Sequence, residues 1–263
     1  MLPQVQQYGE ELGLITPNET VPRSKGKRPL LAGLWSLGER AASDRGVRAD
    51  VIVWINADIV LPAHFTRLVT QVARDFPEYL LVGQRYSLDT GARLVNFENA
   101  SETAALFGRE DGKWDGPQAI DYFVFNRGAW RGSIPADLSL AWAWDQYLLS
   151  QASRLGLRTI DATRAVRAIH QSHSRIRDSD ADSSERWRNL AVVGRAGGWK
   201  ESGFTYCALY EALPCRGGQE LADSVWDGGG GPHRDRCEST AVFPLRRRRF
   251  PEWARRSDVP PRE

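Results

Sequence analysis

Methionine occurs once, at Met1, and cysteine three times, at Cys207, Cys215 and Cys237. No two cysteines form a CxxC pair, which argues against a zinc site of the usual spacing. So small and odd a count points to reduced thiols rather than a disulfide framework. No stretch approaches the ~18 consecutive apolar residues that a membrane-spanning helix needs. Met1-Leu2-Pro3-Gln4 lacks the basic start and apolar core of a signal peptide, so a cytoplasmic location is expected. If coding sequence extends upstream of Met1, an anchor and the secretory pathway come back into play. An excess of one charge is missing as well. The net charge is +2, and residues 232–263 hold 9 Arg against 5 Asp plus Glu, so residues 1–231 sum to −2. A near-neutral body makes no demand for nucleic acid, and none is expected as a partner.

What is present is aromatic mass. Ten Trp, nine Phe and seven Tyr in 263 residues exclude disorder of the whole chain. The length suits one domain with appendages. Residues 1–27 read as a short strand and loop punctuated by Pro17, Asn18, Pro22 and Gly26. Leu30, Leu31, Leu34, Leu37 and Ala41 then form one helical stripe, ending near Gly46. Val51-Ile52-Val53-Trp54-Ile55 reads as a strand buried on both faces, as in a parallel sheet. A helix over 64–76 follows Pro62, and Tyr79–Gly83 is the next strand. Helix and strand thus alternate, which predicts an α/β fold.

Further strands are expected at 120–125, 158–162 and 165–169, with helices near 102–107, 142–155, 183–196 and 203–213. Beyond 228 the four glycines, the Arg246–Arg249 run and the closing prolines predict a disordered tail. The folded domain is therefore expected over 28–215.

Chemistry is expected at strand ends, because open α/β sheets bind ligands in the crevice at their carboxyl edges. Asn56-Ala57-Asp58 closes the first buried strand. A carboxylate there can hold a hard divalent cation or simply cap the next turn. In Trp144-Asp145-Gln146 the acid sits at a helix start, where carboxylates are common. Between Trp142 and Trp144 its desolvation would suit a general base. His170 and His173 are two of only four histidines and follow an apolar strand; imidazole ligates Mn, Fe or Zn. Gln84 and Arg85 could bind phosphate, and Asp121 a sugar hydroxyl; ion pairing within the protein is the plainer reading of each. His64 reads as a surface residue.

In this order, Asn56-Ala57-Asp58, Val82-Gly83-Gln84-Arg85, Asp121–Phe125, Trp144-Asp145-Gln146 and Ile169-His170-Gln171-Ser172-His173 resemble the GT-A class of nucleotide-sugar glycosyltransferases, particularly family-2-like members. The resemblance covers about residues 28–195. It implies a Rossmann-like mixed sheet flanked by helices, here N-terminally shortened. Only about 50 residues precede the Asn-Ala-Asp strand, and they hold one clear helix, where the fold normally opens with a nucleotide-binding half.

The resemblance also implies roles. Asn56, Ala57, Gln84 and Arg85 would contact the nucleotide-sugar donor. Asp58, His170 and His173 would bind Mn²⁺ or Mg²⁺. Asp145 would be the catalytic base, and Asp121, Trp142 and Trp144 would face a hydroxyl-bearing acceptor. Asn56 departs from the usual Asp, leaving the motif one carboxylate fewer. Two other readings stand beside this one: a degenerate or truncated relative that binds without turnover, and a nucleotidyltransferase. The latter needs a Gly-rich basic phosphate segment. Arg23-Ser24-Lys25-Gly26-Lys27-Arg28 is a poor match, since no buried strand clearly precedes it.

Overall fold

A computed structural model describes residues 21–44, 50–90, 99–171, 180–198, 205, 208–214 and 243–248. The expectations for 1–20, the three cysteines, His173, Gly228–Gly231 and 249–263 lie outside the described residues. Two compact units emerge. The first draws on Met1–Asp50, Gly132–Trp144 and Arg177–Gly198; the second on Val51–Arg131, Asp145–Ile176 and Trp199–Glu263.

The second unit is α/β, as expected, with a mixed sheet flanked by helices. Its strands are β1 (Val51–Ile55), β2 (Ile59–Val60), β3 (Tyr79–Leu88), β4 (Lys113–Trp114), β5 (Ile120–Asn126), β6 (Arg158–Asp161), β7 (Ala168–Gln171), β8 (Tyr210–Ala212) and β9 (Leu245–Arg247). The main path runs β1-β5-β3-β6-β8-β9. Strand β5 is antiparallel to both β1 and β3, whereas β3, β6 and β8 are parallel.

Strand β1 corrects an expectation. It pairs with β5 at the end of this path, and Val53 and Ile55 are 43% and 37% exposed. A run of β-branched residues suits an edge strand as well as a central one, because local sequence carries no record of neighbours.

The ten-residue β3 serves two sheet regions. Its first half pairs with β5 and β6; its second half pairs with β4 and β7. The register against β5 shifts between Val82 and Gln84, so Gly83 sits at the irregularity. A Cβ built on Gly83 would lie 2.1 Å from the Tyr122 hydroxyl and 3.2 Å from the Thr163 nitrogen. Tyr122 is fully buried and cannot withdraw. Gly83→Ala is therefore expected to destabilise the unit by about 1–3 kcal/mol, read from its urea midpoint. A midpoint equal to that of the parent would show that the ring has room to move.

Helix α2 (Phe65–Asp75; the preceding helix α1, Leu31–Asp44, belongs to the first unit) buries Phe65, Leu68 and Val72 against Leu81, Tyr122 and Ile160 of the sheet. His64 just before it is 8% exposed, and its Nε2 lies 2.9 Å from the Ala165 carbonyl oxygen. It is thus a buried anchor rather than a surface residue. Helix α3 (Ala100–Phe107) is capped by Asn99, whose side chain accepts from the Ser101 and Glu102 amides. Its carboxyl end is held by Arg167, which donates to the Phe107 and Arg109 carbonyls and stacks on Tyr86. Helix α4 covers Trp144–Arg154.

The carboxyl-terminal stretch brings two more corrections. Where a helix was expected over 203–213, Tyr210–Ala212 is strand β8. Within the tail expected to lack structure, residues 243–248 add strand β9 to the sheet. Tertiary partners explain both. Phe243 is buried and exchanges two 2.8 Å hydrogen bonds with the Gln71 side chain. Arg246 and Arg248 of the arginine run reach Glu211 and Asp161.

In the first unit, helix α1 (Leu31–Asp44) follows a tight hairpin in which Arg23 bridges Pro29. Helix α5 (Asp180–Arg195) carries Glu185, whose Oε1 accepts from the Gly26 amide and Oε2 from the Ser139 hydroxyl. Asn189 clasps the Ser139 amide, hydroxyl and carbonyl, together with the Trp142 carbonyl. Burial opposes ionisation of Glu185, but these donors and Arg188 outweigh it and lower its pKa.

Candidate functional site

The expected site residues of the second unit gather at strand ends. Asn56 leaves β1 and its amide nitrogen donates to the Asp121 carbonyl at the start of β5. Its Nδ2 donates to Asp121 Oδ1 at 2.9 Å. Arg85, in the second half of β3, donates from Nη1 to Asp121 Oδ2 at 2.8 Å. Its Nε donates to Asp115 Oδ2 at 2.5 Å. The Ser87 hydroxyl also donates to Asp115 Oδ2, at 2.7 Å, and lies 3.0 Å from His170 Nδ1. On the far side of the ring, His170 Nε2 lies 3.2 Å from Asp58 Oδ2. One polar chain therefore runs Asn56–Asp121–Arg85–Asp115–Ser87–His170–Asp58.

Sheet register explains this convergence. Strand β7 pairs with β2 so that His170 faces Ile59, next to Asp58. It also pairs with β3 so that His170 faces Ser87. Arg85 and Ser87 are two apart on one strand and share a face. Gln84 points to the other face, where its Nε2 donates to Thr205 Oγ1 at 3.1 Å. Ala57 is an exposed turn residue.

Hydrogen-bond bookkeeping fixes the imidazole. Ser87 has one hydroxyl proton and gives it to Asp115, so His170 Nδ1–H donates to Ser87 Oγ. Although Ser87, His170 and Asp58 have the outward order of a nucleophile triad, His170 is thereby the donor to Ser87 and not its base. Nε2 is left facing Asp58 Oδ2 at 3.2 Å. An imidazole whose other nitrogen is anchored through Ser87 to a carboxylate has the outer-shell support typical of metal ligands. Asp58 and His170 are a pair, however. Among the described residues no group of three or more His, Cys, Asp or Glu is gathered closely enough to hold a metal ion. A cation held by this pair would take its remaining ligands from water and substrate, and the imidazole favours a transition metal such as Mn²⁺ over Mg²⁺.

Asp145 lies in the first turn of α4, and its Oδ1 accepts the Gln146 amide at 3.0 Å. Burial pushes its carboxyl up to about 7, and the negative charge of Asp121 adds to the rise; hydrogen bonding to the Gln146 amide and the Arg85 charge oppose it. Burial works against the Arg85 guanidinium, but Asp121 and Asp115 outweigh it and raise its pKa. Asp115 is held low by Ser87 and Arg85, against the effect of burial. Gln146 is buried, and its Nε2 donates to the Gln118 carbonyl at 3.0 Å. Its Oε1 is buried without a hydrogen-bond partner among the described residues.

Trp142 and Trp144 belong to the first unit. Trp144 is buried; Trp142 is 40% exposed, with the Arg186 guanidinium 4.3 Å from its ring centre. Sequence reasoning missed Ser87 and Asp115. The same-face spacing of Ser87 from Arg85 was the available signal, whereas Asp115 sits in a Gly/Asp-rich loop without one. Comparison with protein-family models, curated proteins and solved structures returns no match.

Proposed function

We propose that the second unit performs metal-assisted transfer of a sugar from a nucleotide-sugar donor to a hydroxyl group, on a GT-A-like sheet. The observation that carries this reading is convergence. Asn56, Asp58, Arg85, Asp121 and His170 come from five separate strands or strand ends. They join one hydrogen-bonded chain, with Asp145 in its electrostatic field.

Asp58 and His170 would hold Mn²⁺ or Mg²⁺. When bound, the ion neutralises the donor's diphosphate and eases departure of the nucleotide diphosphate. Asn56 commits its Nδ2 to Asp121 and keeps its carbonyl oxygen for a donor hydroxyl. Asp145 accepts the proton of the acceptor hydroxyl as the new glycosidic C–O bond forms and the bond from the sugar to phosphate breaks. A carboxyl near 7 balances ionised fraction against basicity at neutral pH, as a general base requires. The rate should therefore rise as pH climbs through about 7 and Asp145 loses its proton.

The test is thermal melting with Mn²⁺ and a panel of UDP and GDP sugars, wild type beside Asp58→Ala. A ligand at 100 times its dissociation constant adds about 2.7 kcal/mol. The expected result is a metal-dependent rise with one nucleotide, lost in the variant. No rise with any nucleotide sugar, on folded protein, would sink the proposal.

A further inference from the structure

We propose that the open edge of β1 is a self-association surface: two copies of this chain pair β1 with β1, antiparallel about Val53, and join their sheets into one. The inference is independent of the proposed transfer reaction.

Strand β1 closes one end of the main path, and among the described residues β5 is its only strand partner. The register sets Ile55 opposite Tyr122, and the Asn56 amide donates to the Asp121 carbonyl. Antiparallel hydrogen bonding alternates along a strand, so Ile52, Trp54 and Asn56 turn their backbone groups to β5. Val51, Val53 and Ile55 therefore turn theirs to the open edge. The Val53 and Ile55 side chains are 43% and 37% exposed, so the surface beside these groups is apolar. Edge strands are usually blunted by charge, proline or a bulge, and Val51-Ile52-Val53-Trp54-Ile55 has none of these. Strand β9 at the other end of the path does, with Arg246 and Arg247 exposed. One edge is protected and the other is left able to pair.

Symmetry and charge select a second copy as the occupant. A two-fold axis at Val53 sets Val53 opposite itself and Val51 opposite the second copy's Ile55. Each outward amide then meets an outward carbonyl. The strand carries no charge, and its flanking Asp50 falls opposite the second copy's Asn56. Parallel pairing would instead set Asp50 beside Asp50, so charge favours the antiparallel arrangement. Such a contact is isologous and uses up the edge on both copies. A strand of five residues buries less than the roughly 800 Å² per partner of a standard interface, so the dimer is weak and depends on concentration.

The experiment is sedimentation velocity of the full-length protein from about 1 μM to about 0.5 mM, the range in which weak contacts form. Amide hydrogen exchange is read at both ends of that range. The dimer fraction is expected to rise with concentration. Exchange at Val51, Val53 and Ile55 should slow as it does, while Ile52 and Trp54 are protected throughout. Val53→Pro removes the amide at the two-fold axis. That amide faces away from β5, so the fold tolerates the change. Association should weaken at least about tenfold, the effect of losing one hydrogen bond on each copy. Should the proline variant fail to fold, Val53→Lys decides, because it sets a cation against its own copy. A monomer at every concentration would overturn the proposal, as would a dimer that the folded variant leaves intact. Slow exchange at Val51, Val53 and Ile55 in the dilute monomer would also overturn it, by showing that another segment of the same chain covers the edge.

Discussion

Asp145→Asn should make the folded protein more stable at pH 8, by a few kcal/mol, and no more stable at pH 4. The physical cause is a carboxylate whose charge is poorly solvated because most of it is buried. Its folded pKa, raised from 3.8 to about 7, exceeds that of the unfolded chain. Below 3.8 both states are protonated and nothing is lost. Between about 4 and 7 the unfolded state releases its proton first, so rising pH favours unfolding. Above 7 the full cost applies. At 1.36 kcal/mol per pH unit it is bounded at about 4 kcal/mol. Partial exposure of the side chain brings the expected gain below that bound.

Asparagine keeps the oxygen that accepts the Gln146 amide, so the helix start is preserved. Urea unfolding at pH 4, 5.5 and 8, wild type beside variant, reads the effect. The difference should grow with pH and level off above 7. Equal stability at pH 8 would show that the carboxylate is solvated and unsuited to act as base. In the proposed reaction the same variant loses transfer, so this site exchanges stability for a poised proton acceptor.

Arg248→Met should cost about 3–5 kcal/mol at neutral pH, the loss typical of stripping one partner from a buried ion pair. Asp161 is 3% exposed at the end of β6. Its Oδ1 accepts from the Thr163 amide and hydroxyl, and its Oδ2 accepts from Arg248 Nη2 at 2.7 Å. The other arm of Arg248 donates to the Thr205 carbonyl, also at 2.7 Å. Burial raises the Asp161 pKa and the Arg248 charge opposes it. Glu211 lies 3.5 Å from the same guanidinium, so the variant would leave two carboxylates without it.

Methionine retains most of the apolar stem, which isolates the charge effect. Adding Asp161→Asn to the variant should recover much of the loss, because the buried group then carries no charge. A loss below about 1 kcal/mol in Arg248→Met would mean that solvent already relieves Asp161. Urea midpoints at pH 7 for the two single variants and the double variant form the required cycle.

Short-range pattern was sufficient for much of this protein. The helical stripe from Leu31, the amphipathic 65–75 segment and the apolar runs at 79–82 and 120–125 all form the elements their periodicity implies. Strand ends follow from strands, so Asn56, Asp58, Arg85, Asp121 and His170 could be singled out before any contact was known. Side-chain spacing along one element is a local property, and local properties survive in sequence.

Long-range pairing was required for the rest. The sequence of β1 suits a central strand, yet β1 lies at the end of the main path, because edge position depends on which strands arrive beside it. An arginine run becomes β9 because Glu211 and Asp161 wait on neighbouring strands. Asp115 enters the site only because Arg85 and Ser87 reach its loop. The meeting of Asp58 with His170 comes from the β2–β7 register, and the raised carboxyl of Asp145 from burial beside Asp121. Residue type and periodicity thus named the chemical groups; distance, burial and neighbouring charge, which arise only when remote segments pack, determined what those groups can do.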